Sequence, residues 1–127
     1  VRQGLLLLAH GARDADWAEP FLSVVNELRA LRPDCEVALA FLEFMQPDLL
    51  SAGASMVQLG CLRVDVVPLF LGAGGHVRKD VPRLIQCLAA EHRAVHWRLQ
   101  RAVGEEPAVI SALARAAATG PTRGDPQ

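Results

Sequence analysis

The 127-residue chain has only three cysteines, Cys35, Cys61 and Cys87, and none lies close enough to another to form a paired-cysteine zinc motif. So sparse and odd a set also argues against a dense disulfide framework and reads as reduced thiols in a cytoplasmic protein. No apolar run approaches the roughly 20 residues of a membrane span. The opening LLLLA run is shorter than the about 7–15 apolar residues of a signal-peptide core, so it is read as a first buried strand. A net charge of −1 supplies no global field for nucleic acid or for a membrane surface. An anionic ligand must therefore be met by local charges. Gly72, Gly74 and Gly75 match neither phosphate-binding fingerprint, because no Gly-Lys-Ser/Thr follows and the G-x-G-x-x-G spacing is absent. What is present, 51% apolar and 21% charged residues, is ordinary for a globular protein with one core.

Three apolar runs without alternation, Gly4 to Ala9, Val37 to Leu42 and Val64 to Leu71, suit strands covered on both faces. Pro68 is a mild objection within the third. Trp17, Phe21, Val24, Leu28 and Leu31 recur at helical spacing, and Pro33 and Asp34 end that helix. Pro47 is expected to open a second helix with Leu50, Ala54 and Val57 on its inner face and Gly60 as its stop. Val81, Leu84, Ile85 and Leu88 mark a third helix, Ala94 to Leu99 a short fourth strand, and Val109, Ile110, Leu113 and Ala117 a last helix. The order β-α-β-α-β-α-β-α predicts an α/β fold. It is a three-layer sandwich, with a mostly parallel, roughly four-stranded sheet flanked by helices. Residues 1–118 form one domain in this reading, and 119–127 a disordered tail.

His10, Glu43 and His76 recur at equal intervals, each after a strand-like run. A strand, a helix and their loops take about thirty residues. The chain thus delivers one metal ligand or proton carrier to each of three parallel strand ends, the edge where α/β proteins place their sites. Imidazole titrates near neutrality and ligates divalent transition metals. A carboxylate inside the apolar AFLEFM stretch is costly to bury unless paired, protonated or bound to a cation, so Glu43 reads as a ligand, a proton acceptor or half of a salt bridge. Arg13 offers a bidentate fork, and Arg78 and Lys79 add charge beside the glycine-rich loop whose Gly74 and Gly75 let a ligand approach the backbone. Asp14 or Asp16 suits a helix cap, and Asp80 suits the helix dipole without further function. His92 and His96 read as structural, because the span between them crosses from helix to strand.

The segments LLLLAHGARD, AFLEFMQPDL and VVPLFLGAGGHVRKDVP resemble the short sirohydrochlorin chelatases of the CbiX type, a class II chelatase family that includes ferrochelatase and nickel chelatase relatives. The resemblance covers roughly residues 3 to 85. Family members often carry Ser where this chain has Ala12. The resemblance implies insertion of a divalent metal, Co²⁺ ahead of Ni²⁺ or Fe²⁺, into sirohydrochlorin on the way to cobalamin or sirohaem. It implies that His10 and His76 bind the metal or take up pyrrole protons, that Glu43 assists, and that the chain is a homodimer. The carboxylates of such a substrate would suit Arg13, Arg78, Lys79 and the amides at Gly74 and Gly75. Two other readings start from the same residues. A metal- or tetrapyrrole-binding module would use the same ligands without turnover. A histidine phosphatase would share the strand-His-Gly pattern but would need a charged flank where Ala9 stands.

Overall fold

The computed structural model describes residues 2–72, 74–120 and 124, with the side chain of His76 also outside that description. Four parallel strands, β1 (Gln3–Ala9), β2 (Cys35–Phe41), β3 (Arg63–Pro68) and β4 (His96–Leu99), lie in the order β2-β1-β3-β4. Helices α1 (Glu19–Leu31), α2 (Leu49–Gln58), α3 (Gly75–Glu91) and α4 (Pro107–Thr119) follow them in turn, which is the predicted α/β order.

From Gly4 onward β1 is apolar because it packs on both faces. Leu6 and Leu8 join Val64, Val66, Met56 and Leu88 on the α2 and α3 side, whereas Leu5 and Leu7 meet Val25 and Val37 on the α1 side. Each fully buried leucine contributes about 1.5–3 kcal/mol. The pairings Ala9↔Phe41 and Leu8↔Pro68 bring the ends of three strands level. Pro68 is tolerated as the last residue of β3, and the strand stops there rather than at Leu71.

Three expectations shift. A 3-10 turn, Ala15–Ala18, precedes α1, and its tighter winding breaks the helical count begun at Trp17. The sheet-facing residues of α1 are therefore Phe21, Val25 and Leu28, while Val24 and Leu31 are exposed. Pro47 does not open α2. It follows a cis peptide bond, and Asp48 caps the helix by accepting from the Ser51 N–H at 2.8 Å. The buried face of α2 is Leu49, Ala52, Gly53 and Met56, with Leu50 exposed. Small residues face α3 here because a Cβ at Gly53 would lie 2.7 Å from Leu88. Thr119, expected in the tail, is the last residue of α4, and Gly120 takes a left-handed φ of 63°. Positions 121–123 and 125–127 lie outside the described residues.

α4 packs mainly on the 3-10 turn before it (Val103–Glu105) and buries none of its own side chains. On the α1 side of β3, Asp65 is buried yet satisfied. It accepts from Arg98 at 3.1 and 3.2 Å and from Gln3 at 3.1 Å.

Candidate functional site

In the order β2-β1-β3-β4 the chain leaves β1 toward one side of the sheet and returns to β3 on the other. The crevice outside the ends of β1 and β3 is therefore the topological switch point, where α/β sheets bind ligands. His10 follows β1 directly, and its ring stacks on Phe70 beyond β3, with centroids 4.2 Å apart. Phe70 itself is buried, so it is a fixed backing for an imidazole that remains exposed on its outer side.

Glu43 stands beside His10 because the β1–β2 ladder continues past both strands. Leu42 N–H donates to Ala9 O and Glu43 N–H to His10 O, each at 3.0 Å. Gly11 makes this approach possible. Its φ is 94°, and a Cβ there would sit 1.9 Å from the Glu43 carbonyl oxygen. The main chain thus sets the separation of the two residues. His10 and Glu43 line one cavity of about 160 Å³ with Leu42, Val77, Asp80 and Leu84.

The third expected member, His76, occupies the first turn of α3, and its side chain lies outside the described residues. Among the described residues, no group of three His, Cys, Asp or Glu side chains is disposed to hold a metal ion. Asp80 was missed as a site residue. The sequence accounts for it as a partner of the helix dipole, and it does pair with Arg83. Position 80 is also one turn beyond position 76, so helical spacing alone would have placed it on the same face.

The basic candidates separate. Arg13 lies over the ring of Phe44, 4.7 Å from its centroid, beside Glu43. Phe44 is another omission. It is 57% exposed with a left-handed φ of 67°, in a tight turn closed by Met45 N–H to Glu43 O at 2.8 Å. Its position immediately after a candidate acid was the available signal. Gly74 is the N-cap of α3 and contributes no side-chain cap, and Gly75 begins the helix. Arg78 lines a second, larger cavity of about 440 Å³, whereas Lys79 lines neither cavity. Asp14 caps the 3-10 turn by accepting from Asp16 N–H at 3.0 Å, as one of the two acids was expected to do. His92 ends α3 against Trp97, and His96 starts β4 at the opposite edge of the sheet from His10. Neither belongs to the site.

The CbiX family model matches residues 4–119. A sirohydrochlorin cobaltochelatase of Sulfolobus acidocaldarius is 32% identical over 83 residues, which are 65% of this chain and 66% of that protein. The match thus spans just under two thirds of that relative. A cobalamin (vitamin B12) biosynthesis CbiX protein of Marinobacter aquaeolei superposes with a TM-score of 0.80 at 34% identity, covering 92% of this chain and 95% of that one. Cobalt-bound SirB, a sirohydrochlorin chelatase of Bacillus subtilis subspecies spizizenii, shares the fold with a TM-score of 0.82 at 21% identity. That superposition takes in 94% of this chain and 51% of SirB.

Proposed function

The chain belongs to the CbiX family, and from that membership and its site we propose that it is a sirohydrochlorin chelatase, with Co²⁺ the preferred ion and cobalamin biosynthesis its setting. The observation that carries the reading is the imidazole of His10 and the carboxylate of Glu43 on one cavity at the switch point, at a separation set by the main chain.

The reaction exchanges two pyrrole protons for a divalent ion that arrives as the second substrate. Each departing proton needs an acceptor, and the ion must trade water for ring nitrogens. Neutral imidazole serves either need, as acceptor or as ligand, and a carboxylate does the same. His10 and His76 take these roles with Glu43 assisting. A shell of two imidazoles and one carboxylate leaves positions open for the macrocycle to take the ion away. Phe70 holds one face of the His10 ring, so the ring meets the substrate in a set orientation. Arg13, Arg78, Lys79 and the amides at Gly74 and Gly75 meet the substrate carboxylates. Three free thiols fit a cytoplasmic protein, and no described helix is long and apolar enough to cross a membrane.

The working unit in this proposal is a homodimer. α4 exposes Ile110 and Leu113 with none of its side chains buried in its own chain, and the matched fold makes up half of SirB. A helix gains most of its stability from packing an apolar face, which a second copy would supply.

Insertion is measured by the absorbance change of sirohydrochlorin with Co²⁺, Ni²⁺ or Fe²⁺, with and without protein. Acceleration with Co²⁺ foremost supports the proposal. Metal or tetrapyrrole binding without acceleration would leave a binding module instead. Phosphatase activity that survives metal removal would favour the histidine-phosphatase reading.

A further inference from the structure

The larger cavity shares a wall with the site. Phe70, whose ring backs His10, also lines this space of about 440 Å³ beyond the ends of β3 and β4. Its floor is apolar, with Val81 and Leu99 beside Phe70, and its charged lining residues are Arg78, Arg101 and Glu105. Arg101 comes from the chain just after β4, a fourth strand end. Its ion pair with Glu106, 3.7 Å long with both partners exposed, is too weak to occupy the guanidinium. Val77 and Arg78 bring the first turn of α3 to the same space, and the N-cap of that helix, Gly74, supplies no side-chain cap. Two guanidinium groups over an apolar floor, at a helix start whose N-cap is glycine, form an anion-accepting concavity with room for a short carboxylate-bearing arm.

We propose that Arg101 is a specificity-determining residue that, with Arg78, holds an acidic arm of the macrocycle in this cavity while the ring centre lies over His10. The proposal rests on the chelatase reading. A planar substrate centred on His10 extends past Phe70, and the first anion-accepting space on that side is this cavity. Charge-assisted hydrogen bonds above apolar walls are stronger than the same bonds in open water. Glu105 has the opposite sign. It weakens the hold on an acidic arm, so its removal must act in the reverse direction to that of Arg101.

The test compares wild type with Arg101→Gln, Arg101→Lys and Glu105→Gln. Binding of metal-free uroporphyrin, an acidic macrocycle, is read by fluorescence quenching, with a porphyrin bearing cationic pyridinium groups as the control. Co²⁺ insertion into sirohydrochlorin is followed in parallel. Arg101→Gln is expected to weaken uroporphyrin binding about tenfold, in line with one lost charged hydrogen bond. It should raise KM for sirohydrochlorin with kcat nearly unchanged and spare the cationic porphyrin. Arg101→Lys should recover part of the loss, and Glu105→Gln should tighten uroporphyrin binding. Unchanged uroporphyrin affinity and KM in Arg101→Gln would overturn the role of Arg101 and leave the chelatase reading standing. Equal loss for both porphyrins would also overturn it. Wild-type protein that binds uroporphyrin through Arg101 yet inserts no metal would overturn the chelatase reading instead.

Discussion

Asp65 and Glu43 are carboxylates of the same sheet in opposite circumstances. Asp65 sits within β3, is 5% exposed, and accepts from Arg98 and Gln3. Glu43 sits past the end of β2, exposed on a cavity, and its carboxylate takes part in no hydrogen bond or ion pair among the described residues. The cost of burying a charge explains the first arrangement, since an unpaired carboxylate inside a sheet destabilises the fold. The second makes no such demand on the fold, and its lone pairs remain for a cation or a proton. A charge that is matched belongs to stability. A charge left unmatched beside an imidazole is what the proposed chemistry requires.

The difference can be broken from either side. His10→Ala should lower the insertion rate by about a hundredfold or more and leave the thermal midpoint nearly unchanged. An insertion rate close to wild type would remove His10 from the chemistry. Gly11→Ala should affect both properties, because the new Cβ meets the Glu43 carbonyl and the φ of 94° becomes strained. A loss of about 2–3 kcal/mol in urea unfolding is expected, together with slower insertion. Arg98→Ala acts on the matched charge alone. It strands Asp65 at a cost of about 2 kcal/mol, below the usual range for a broken buried pair because the Arg98 side chain is half exposed and water can replace it. The folded variant should insert metal at the wild-type rate.

Asp48 supplies the smallest and most graded test. It is exposed like Glu43 but partnered like Asp65, and its bond to the Ser51 backbone N–H holds its carboxyl below the ordinary range. Because the folded value is depressed, its contribution is complete above the unfolded value near pH 4 and is lost as pH falls through the folded value. Asp48→Ala should cost about 1 kcal/mol at neutral pH, and the two proteins should converge in acid.

Much of this was legible from residue order. Unbroken apolar runs marked a sheet buried on both faces, and the alternation of strands and helices implied that it is parallel; the order β2-β1-β3-β4 came from the structure alone. His10 and Glu43 stood out as candidates because each ends an apolar strand-like run, at the edge where α/β sheets bind ligands. Residues whose signal is tertiary were harder to see. Asp80 reads as a helix-dipole partner until α3 is laid over the crevice, and Arg101 stands out only once β4 takes its place beside β3 and the residue lines the larger cavity. The phases of α1 and α2 slipped for local reasons, a 3-10 turn in one and a packed glycine in the other, and neither alters apolar periodicity enough to be noticed. The apolar face of α4 was legible from the helical spacing of Ile110 and Leu113, and the structure leaves both exposed.

The contact between Gly11 and the Glu43 carbonyl has a consequence for how the preferred ion can change over time. The backbone fixes the gap between His10 and Glu43, so in the proposed chelatase drift elsewhere in the chain would not retune the grip on an ion. Adjustment is left to side-chain length and rotamer at a few positions. In that proposal a change of preferred ion would come from single substitutions at the rim, with the scaffold's foundations untouched.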